Sequence, residues 1–128
     1  MFFPPTDFLD YGGKQLDMRN NEGMADVIRG LAFPHGVEKL SDAEIAEQLK
    51  QISPARLVTS QTPPMLLIHG DADPVVPLQQ SETMVAALKR AGVPAELIVK
   101  PGGGHPWLSL HEEVQKLADW FDKELEKQ

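Results

Sequence analysis

Met65-Leu66-Leu67-Ile68 is an uninterrupted apolar run set between Pro63-Pro64 and Gly70. Four apolar residues without alternation fit a strand covered on both faces, the habit of parallel sheets. A parallel pair needs a crossover, and the following residues supply one. The spacing of Met84, Val85, Leu88 and Ala91 predicts a helix over about 78–91. Lys89 and Arg90 suit its negative end, and Gly92 stands where a left-handed residue closes a helix. Pro94 then leads into Glu96-Leu97-Ile98-Val99, a second strand over about 95–100. Strand, helix and strand form a βαβ unit, whose crossover is expected to be right-handed.

The flanking segments are helical or irregular. Residues 1–19 are broken by Pro4-Pro5 and Gly12-Gly13. Met24, Val27, Ile28 and Leu31 predict a helix over about 21–31, ended by Phe33-Pro34-His35-Gly36. Ser41-Asp42-Ala43-Glu44 reads as a capping box that starts another helix, with Ile45, Leu49 and Ile52 inward and Ser53-Pro54 at its end. After the second strand, Ser109 is expected to cap a last helix with Glu112 three residues on and an apolar stripe of Leu110, Val114, Leu117, Phe121 and Leu125. The acidic residues of that helix pair with lysine at i,i+4, as in Asp119–Lys123, and read as a solvated face. No repeat or linker divides the chain, so residues 1–128 are expected to form a single domain.

Composition removes several functions. Twelve Lys and Arg against 19 Asp and Glu give a net charge of −7, which phosphate repels, so neither nucleic acid nor an anionic membrane is an expected partner. The absence of cysteine excludes disulfides, thiolate metal sites and a cysteine nucleophile. No apolar run reaches a membrane span, and Met1-Phe2-Phe3-Pro4-Pro5 lacks the basic and apolar regions of a secretory signal. A cytoplasmic protein is the resulting expectation.

In open α/β sheets ligands bind beyond the carboxyl ends of the strands. Two loops leave from those ends here: His69-Gly70-Asp71-Ala72-Asp73-Pro74-Val75-Val76-Pro77, and Pro101-Gly102-Gly103-Gly104-His105-Pro106-Trp107. Neighbouring strands lie about 4.8 Å apart, so a carboxylate of the first loop can meet an imidazole of the second. Such a pair makes a general base: the acid orients the imidazole and the imidazole moves the proton. Asp71 reads as a turn former and His69 as a hydrogen-bonded core residue, while His35 and His111 read as surface residues. His69, Asp71, Asp73 and His105 also have the chemistry of metal ligands, but the closely spaced, proline-bounded aspartates argue against a metal, and no cofactor is expected.

Leu66-Leu67-Ile68-His69-Gly70-Asp71-Ala72-Asp73-Pro74-Val75-Val76-Pro77, followed by a helix, a strand and Gly103-Gly104-His105, resembles the C-terminal part of an α/β-hydrolase of the esterase/lipase or prolyl-oligopeptidase-like branch. The resemblance implies that Asp73 is the acid and His105 the histidine of a Ser–Asp–His triad, that residues 10–53 correspond to a cap or lid, and that residues 63–128 carry the two site loops. Phe2-Phe3-Pro4-Pro5-Thr6-Asp7-Phe8 resembles a strand end of that fold. The implied architecture is a partial α/β-hydrolase of about three parallel strands, near 2–4, 65–69 and 95–100, with flanking helices and a helical cap.

The nucleophile motif G-x-S-x-G is not among these residues. Ser41, Ser53, Ser60, Ser81 and Ser109 all lack the flanking glycines. The implied function is therefore hydrolysis of a small-molecule carboxylic ester with the serine outside this chain, with Trp107 lining the acyl side. The alternative is a catalytically inactive fragment serving as an oligomeric scaffold or binding module. Either way the sequence resembles a hydrolase without its first half, which would uncover a sheet edge near Phe2-Phe3 and apolar surface around Leu66, Ile68, Leu97 and Val99. A homo-oligomer is expected to cover them.

Overall fold

The computed structural model describes residues 1–20, 22–107 and 109–126. Its elements, in order, are α1 (Gly23–Ala32), α2 (Asp42–Gln51), a short 3-10 turn (Pro54–Arg56), β1 (Met65–Gly70), α3 (Leu78–Arg90), β2 (Ala95–Lys100) and α4 (Glu112–Leu125). The architecture is a partial α/β-hydrolase fold.

β1 and β2 pair in parallel, from Met65 opposite Ala95 to Gly70 opposite Lys100. Both strands thus end level and release their loops at one edge of the sheet. On the far side of β1, Phe2 forms a parallel bridge with Ile68, with Phe3 N–H donating to Ile68 O at 2.9 Å and Ile68 N–H to Met1 O at 2.8 Å. The third strand expected near residues 2–4 is reduced to this bridge. Phe3 has a φ of 30°, which turns the chain off the ladder, and Pro4 and Pro5 carry no N–H to continue it. β1 lies between two partners, and Leu66, Leu67, Ile68 and His69 are all buried, as an unalternating strand requires.

Two apolar clusters support this frame. Leu67, Met84, Val85, Ala87, Leu88 and Val93 join α3 to the sheet, with Ala55 added from the 3-10 turn. Phe8, Met18, Ala25, Ile28, Phe33, Val37, Ile45 and Leu49 form a separate core around α1 and α2. The capping box of α2 forms as the sequence predicts, with Ser41 Oγ accepting from Glu44 N–H and the Glu44 carboxylate from Ser41 N–H. The inward face of α1 is rotated from the expected one: Ala25 and Ile28 are buried, whereas Val27 and Leu31 are exposed.

Gln80 joins residues 6–10 to α3. Its side-chain oxygen accepts from Thr6 N–H at 2.9 Å and Asp7 N–H at 2.7 Å, and its amide donates to Asp10 O at 2.7 Å. Thr6 Oγ1 donates to the Gln80 carbonyl at 2.6 Å, and Arg56 Nε donates to Asp7 at 2.8 Å. Backbone groups that belong to no regular element are satisfied here by side chains.

α4 departs most from expectation. Ser109 does not cap it. The helix begins at Glu112 behind a His111 that is itself helical, and Ser109 contributes only its carbonyl, to Glu112 N–H. Its start is fixed instead by a buried carboxylate: Glu113 lies 3.1 Å from Lys100 at the end of β2 and 2.5 Å from Lys116. Val114, Phe121 and Leu125 of the expected inward stripe are more than half exposed. Leu66 and Ile68, expected to lose their cover, are buried, whereas Val99 of β2 is exposed, as are Val114, Phe121 and Leu125 of α4 and Val27 and Leu31 of α1.

Candidate acid–base site

β1 delivers the acid loop and β2 the histidine loop, and the two are stitched together at their bases. Asp71 N–H donates to Lys100 O at 3.2 Å, Ala72 N–H to Gly103 O at 3.0 Å, and Gly102 N–H to Asp71 Oδ1 at 2.7 Å. Asp71 is therefore a tie between loops and not only a turn former. The approach is so close that a Cβ on Gly70 would fall 2.8 Å from Gly103 Cα and still nearer the Gly103 carbonyl. Glycine at position 70 permits backbone against backbone.

Beyond this base, Asp73 and His105 meet. His105 Nδ1 donates to Asp73 Oδ2 at 2.7 Å. The other carboxylate oxygen, Oδ1, accepts from Val75 N–H at 2.8 Å and Val76 N–H at 2.9 Å. The Asp73 side chain is closed to solvent while that of His105 is a quarter exposed. Burial pushes the Asp73 carboxyl up, but the bonds from Val76 N–H, His105 and Val75 N–H outweigh it and hold it below the ordinary aspartate value. The acid is thus kept ionised with one oxygen aimed at His105. With Nδ1 so engaged, Nε2 of His105 is the ring nitrogen left to exchange a proton.

Aromatic rings wall the pair. The Phe3 ring lies 4.2 Å from the His105 ring, and Trp107 stands edge-on to Phe2 and Phe3 at 6.2 and 5.9 Å. The Trp107 indole nitrogen is buried without an acceptor. From the cap-like segment, Tyr11 donates its hydroxyl to Val75 O at 2.8 Å, and burial together with the nearby Asp73 charge pushes it up to about 12. Tyr11 was not marked by the sequence, and Phe3 was marked only as part of a strand end and not as a neighbour of His105, since the placement of both depends on contacts more than 60 residues away in the chain, such as Tyr11 to Val75.

His69 is the buried core histidine expected, with Nδ1 at 2.7 Å from Ser81 Oγ and Nε2 at 2.9 Å from Val76 O. His35 and His111 are exposed. With both His69 nitrogens engaged in the core and Asp71 bound to Gly102, no group of three or more imidazoles and carboxylates is poised to hold a metal among the described residues. Three of the five serine hydroxyls are also occupied elsewhere. Ser41 caps α2, Ser53 donates to Leu49 O, and Ser81 is bound to His69. Among the described residues no hydroxyl is hydrogen-bonded to His105.

Residues 16–128 match the prolyl oligopeptidase family of peptidases. The chain belongs to this family. A truncated form of a carbohydrate esterase from gut microbiota superposes on 96% of the chain with a TM-score of 0.74 and 28% identity, the chain covering 40% of that protein. Among curated relatives, the uncharacterized peptidase YuxL of Bacillus subtilis is 29% identical over 64% of the chain, and the esterase LipQ of Mycobacterium tuberculosis is 34% identical over 59%. The chain spans only 13% and 18% of those two proteins. The chain is thus similar to peptidases and esterases and shares part of their α/β-hydrolase frame. No helix among the described residues is long and apolar enough to cross a membrane.

Proposed function

We propose that this prolyl oligopeptidase family chain supplies the acid and base of a serine-type hydrolase that cleaves carboxylic esters. The observation that carries the reading is the 2.7 Å bond from His105 Nδ1 to Asp73 Oδ2 on two adjoining strand ends. A serine from outside these 128 residues attacks the acyl carbon. His105 Nε2 takes its proton as the tetrahedral intermediate forms, Asp73 stabilises the imidazolium, and the proton passes to the leaving alkoxide. Water repeats the sequence on the acyl-enzyme. Trp107, behind Phe3, offers the apolar wall for the acyl group. An ester is favoured over a peptide by the esterases among the relatives and solved structures.

The test is turnover of a short-chain aryl ester. The 128-residue chain alone is expected to be nearly inert. A protein that includes an upstream G-x-S-x-G segment is expected to turn over and to lose about 10⁴ in kcat on Asp73→Asn, the scale measured for triad acids. Turnover of that protein unchanged by His105→Ala would overturn the proposal. Robust turnover of the isolated chain, abolished by His105→Ala, would show that the nucleophile lies within it.

A further inference from the structure

We infer that His69 is a positioning residue for the acid loop: its Nε2–H holds the Val76 carbonyl so that the Val75 and Val76 N–H groups face Asp73 and leave Asp73 Oδ2 to His105. The inference rests on the reading of Asp73 and His105 as a pair. It begins with His69 itself, a fully buried imidazole in the middle strand with two polar neighbours. A carbonyl can only accept, so the nitrogen 2.9 Å from Val76 O carries a proton. In the neutral ring, Nδ1 then accepts from the Ser81 hydroxyl at 2.7 Å. An uncharged ring is the form that a buried site tolerates. The Val76 carbonyl thereby selects the tautomer, and Ser81, on the first turns of α3, donates to the nitrogen left bare.

The consequence reaches Asp73 through one residue, Val76. Val76 is bonded on both sides, its carbonyl to His69 and its N–H to Asp73 Oδ1 at 2.9 Å. Val75 is held in the same way, its N–H on Asp73 Oδ1 and its carbonyl on the Tyr11 hydroxyl. His69 Nε2 lies 3.5 Å from Asp73 Oδ2, the oxygen that His105 Nδ1 reaches at 2.7 Å. Two imidazoles thus border one carboxylate oxygen. The one whose proton is committed to a carbonyl leaves the other to bond it. The groups facing Asp73 are the His69 and His105 imidazoles and the Tyr11 hydroxyl.

The test uses the full chain labelled with carbon-13 at aspartate and nitrogen-15 at histidine. In the unaltered protein, His69 is expected to show the neutral Nε2–H pattern, and the Asp73 carboxyl to titrate below the ordinary aspartate value. His105→Ala should raise the Asp73 midpoint because it removes a donor. His69→Leu should raise it too with His105 still in place, whereas His69→Gln, whose amide can donate to Val76, should keep it low. Ser81→Ala leaves Nδ1 of His69 without its donor and loosens the ring, which should raise the midpoint partway, and it serves if His69→Leu does not fold. An Asp73 midpoint unmoved by His105→Ala overturns the pair reading and this inference with it. A midpoint that responds to His105→Ala but to neither His69→Leu nor Ser81→Ala overturns this inference alone. So does a doubly protonated or Nδ1–H His69 in the unaltered protein.

Discussion

Gly70→Ala is the most informative single change, because the added methyl meets backbone and not a side chain that can swing away. The Cβ would lie 2.8 Å from Gly103 Cα and nearer still to the Gly103 carbonyl carbon and oxygen. Gly70 has no left-handed φ to satisfy, so the cost is steric and not conformational. The two loops can separate only by breaking the Ala72 N–H bond to Gly103 O and straining the Gly102 N–H bond to Asp71. Overpacking of this kind costs about 1–3 kcal/mol, and each lost hydrogen bond adds about 0.5–1.5 kcal/mol. A loss of about 3 kcal/mol is expected, which at a slope of about 2 kcal/mol per molar urea moves the unfolding midpoint down by about 1.5 M. The assay is urea denaturation followed by circular dichroism. The same variant should disturb the backbone amide resonances of Asp73 and His105, since their loops are joined at this contact. A Gly70→Ala protein within about 0.5 kcal/mol of the unaltered one, the range of neutral surface changes, would refute the close approach of the two loops.

Three further outcomes follow from the structure. Asp73 is held below its unfolded value of 3.8, so its stabilising share is present above that pH and is lost as pH falls through the folded value; Asp73→Asn should flatten the urea midpoint below pH 4 relative to the unaltered chain, leaving the acid sensitivity that Glu44 and Glu113, also held low, contribute. Gln80→Ala strands the buried Thr6 and Asp7 N–H groups, at about 1–3 kcal/mol each, and should lower the thermal midpoint while opening residues 1–13 to protease. The exposed Val114, Phe121 and Leu125 support the proposal that the chain self-associates; light scattering at micromolar concentration should show a mass above 14.1 kDa that falls on Phe121→Glu, and a lone 14.1 kDa species would exclude it.

The parts of this protein that were legible in its sequence are those whose cause is local. The capping box at Ser41 and Glu44 needs only three residues of spacing, and the apolar run 65–68 announces its own burial. Gly92, at a φ of 75°, closes α3 where the helix pattern stops. The meeting of the Asp73 and His105 loops was legible for a different reason, with Asp73 rather than Asp71 singled out by the family resemblance. The parallel register brings Gly70 level with Lys100, so loops adjacent in space follow once the two strands are recognised. What escaped was set by partners distant in the chain. An amphipathic pattern says which residues share a face and not whether anything covers it, so the stripe of α4 was read as buried although Val114, Phe121 and Leu125 are exposed. The buried group at its start is Glu113, a charge that enters the interior only because Lys100 and Lys116 converge on it. Tyr11 and Gln80 carry no motif and Phe3 only that of a strand end, yet Phe3 walls His105, Tyr11 braces Val75 and Gln80 anchors the irregular N-terminal residues. The two loops that bring Asp73 to His105 are therefore written in the sequence, whereas the bonds that hold the Asp73 loop in place come from residues that only the fold assembles around it.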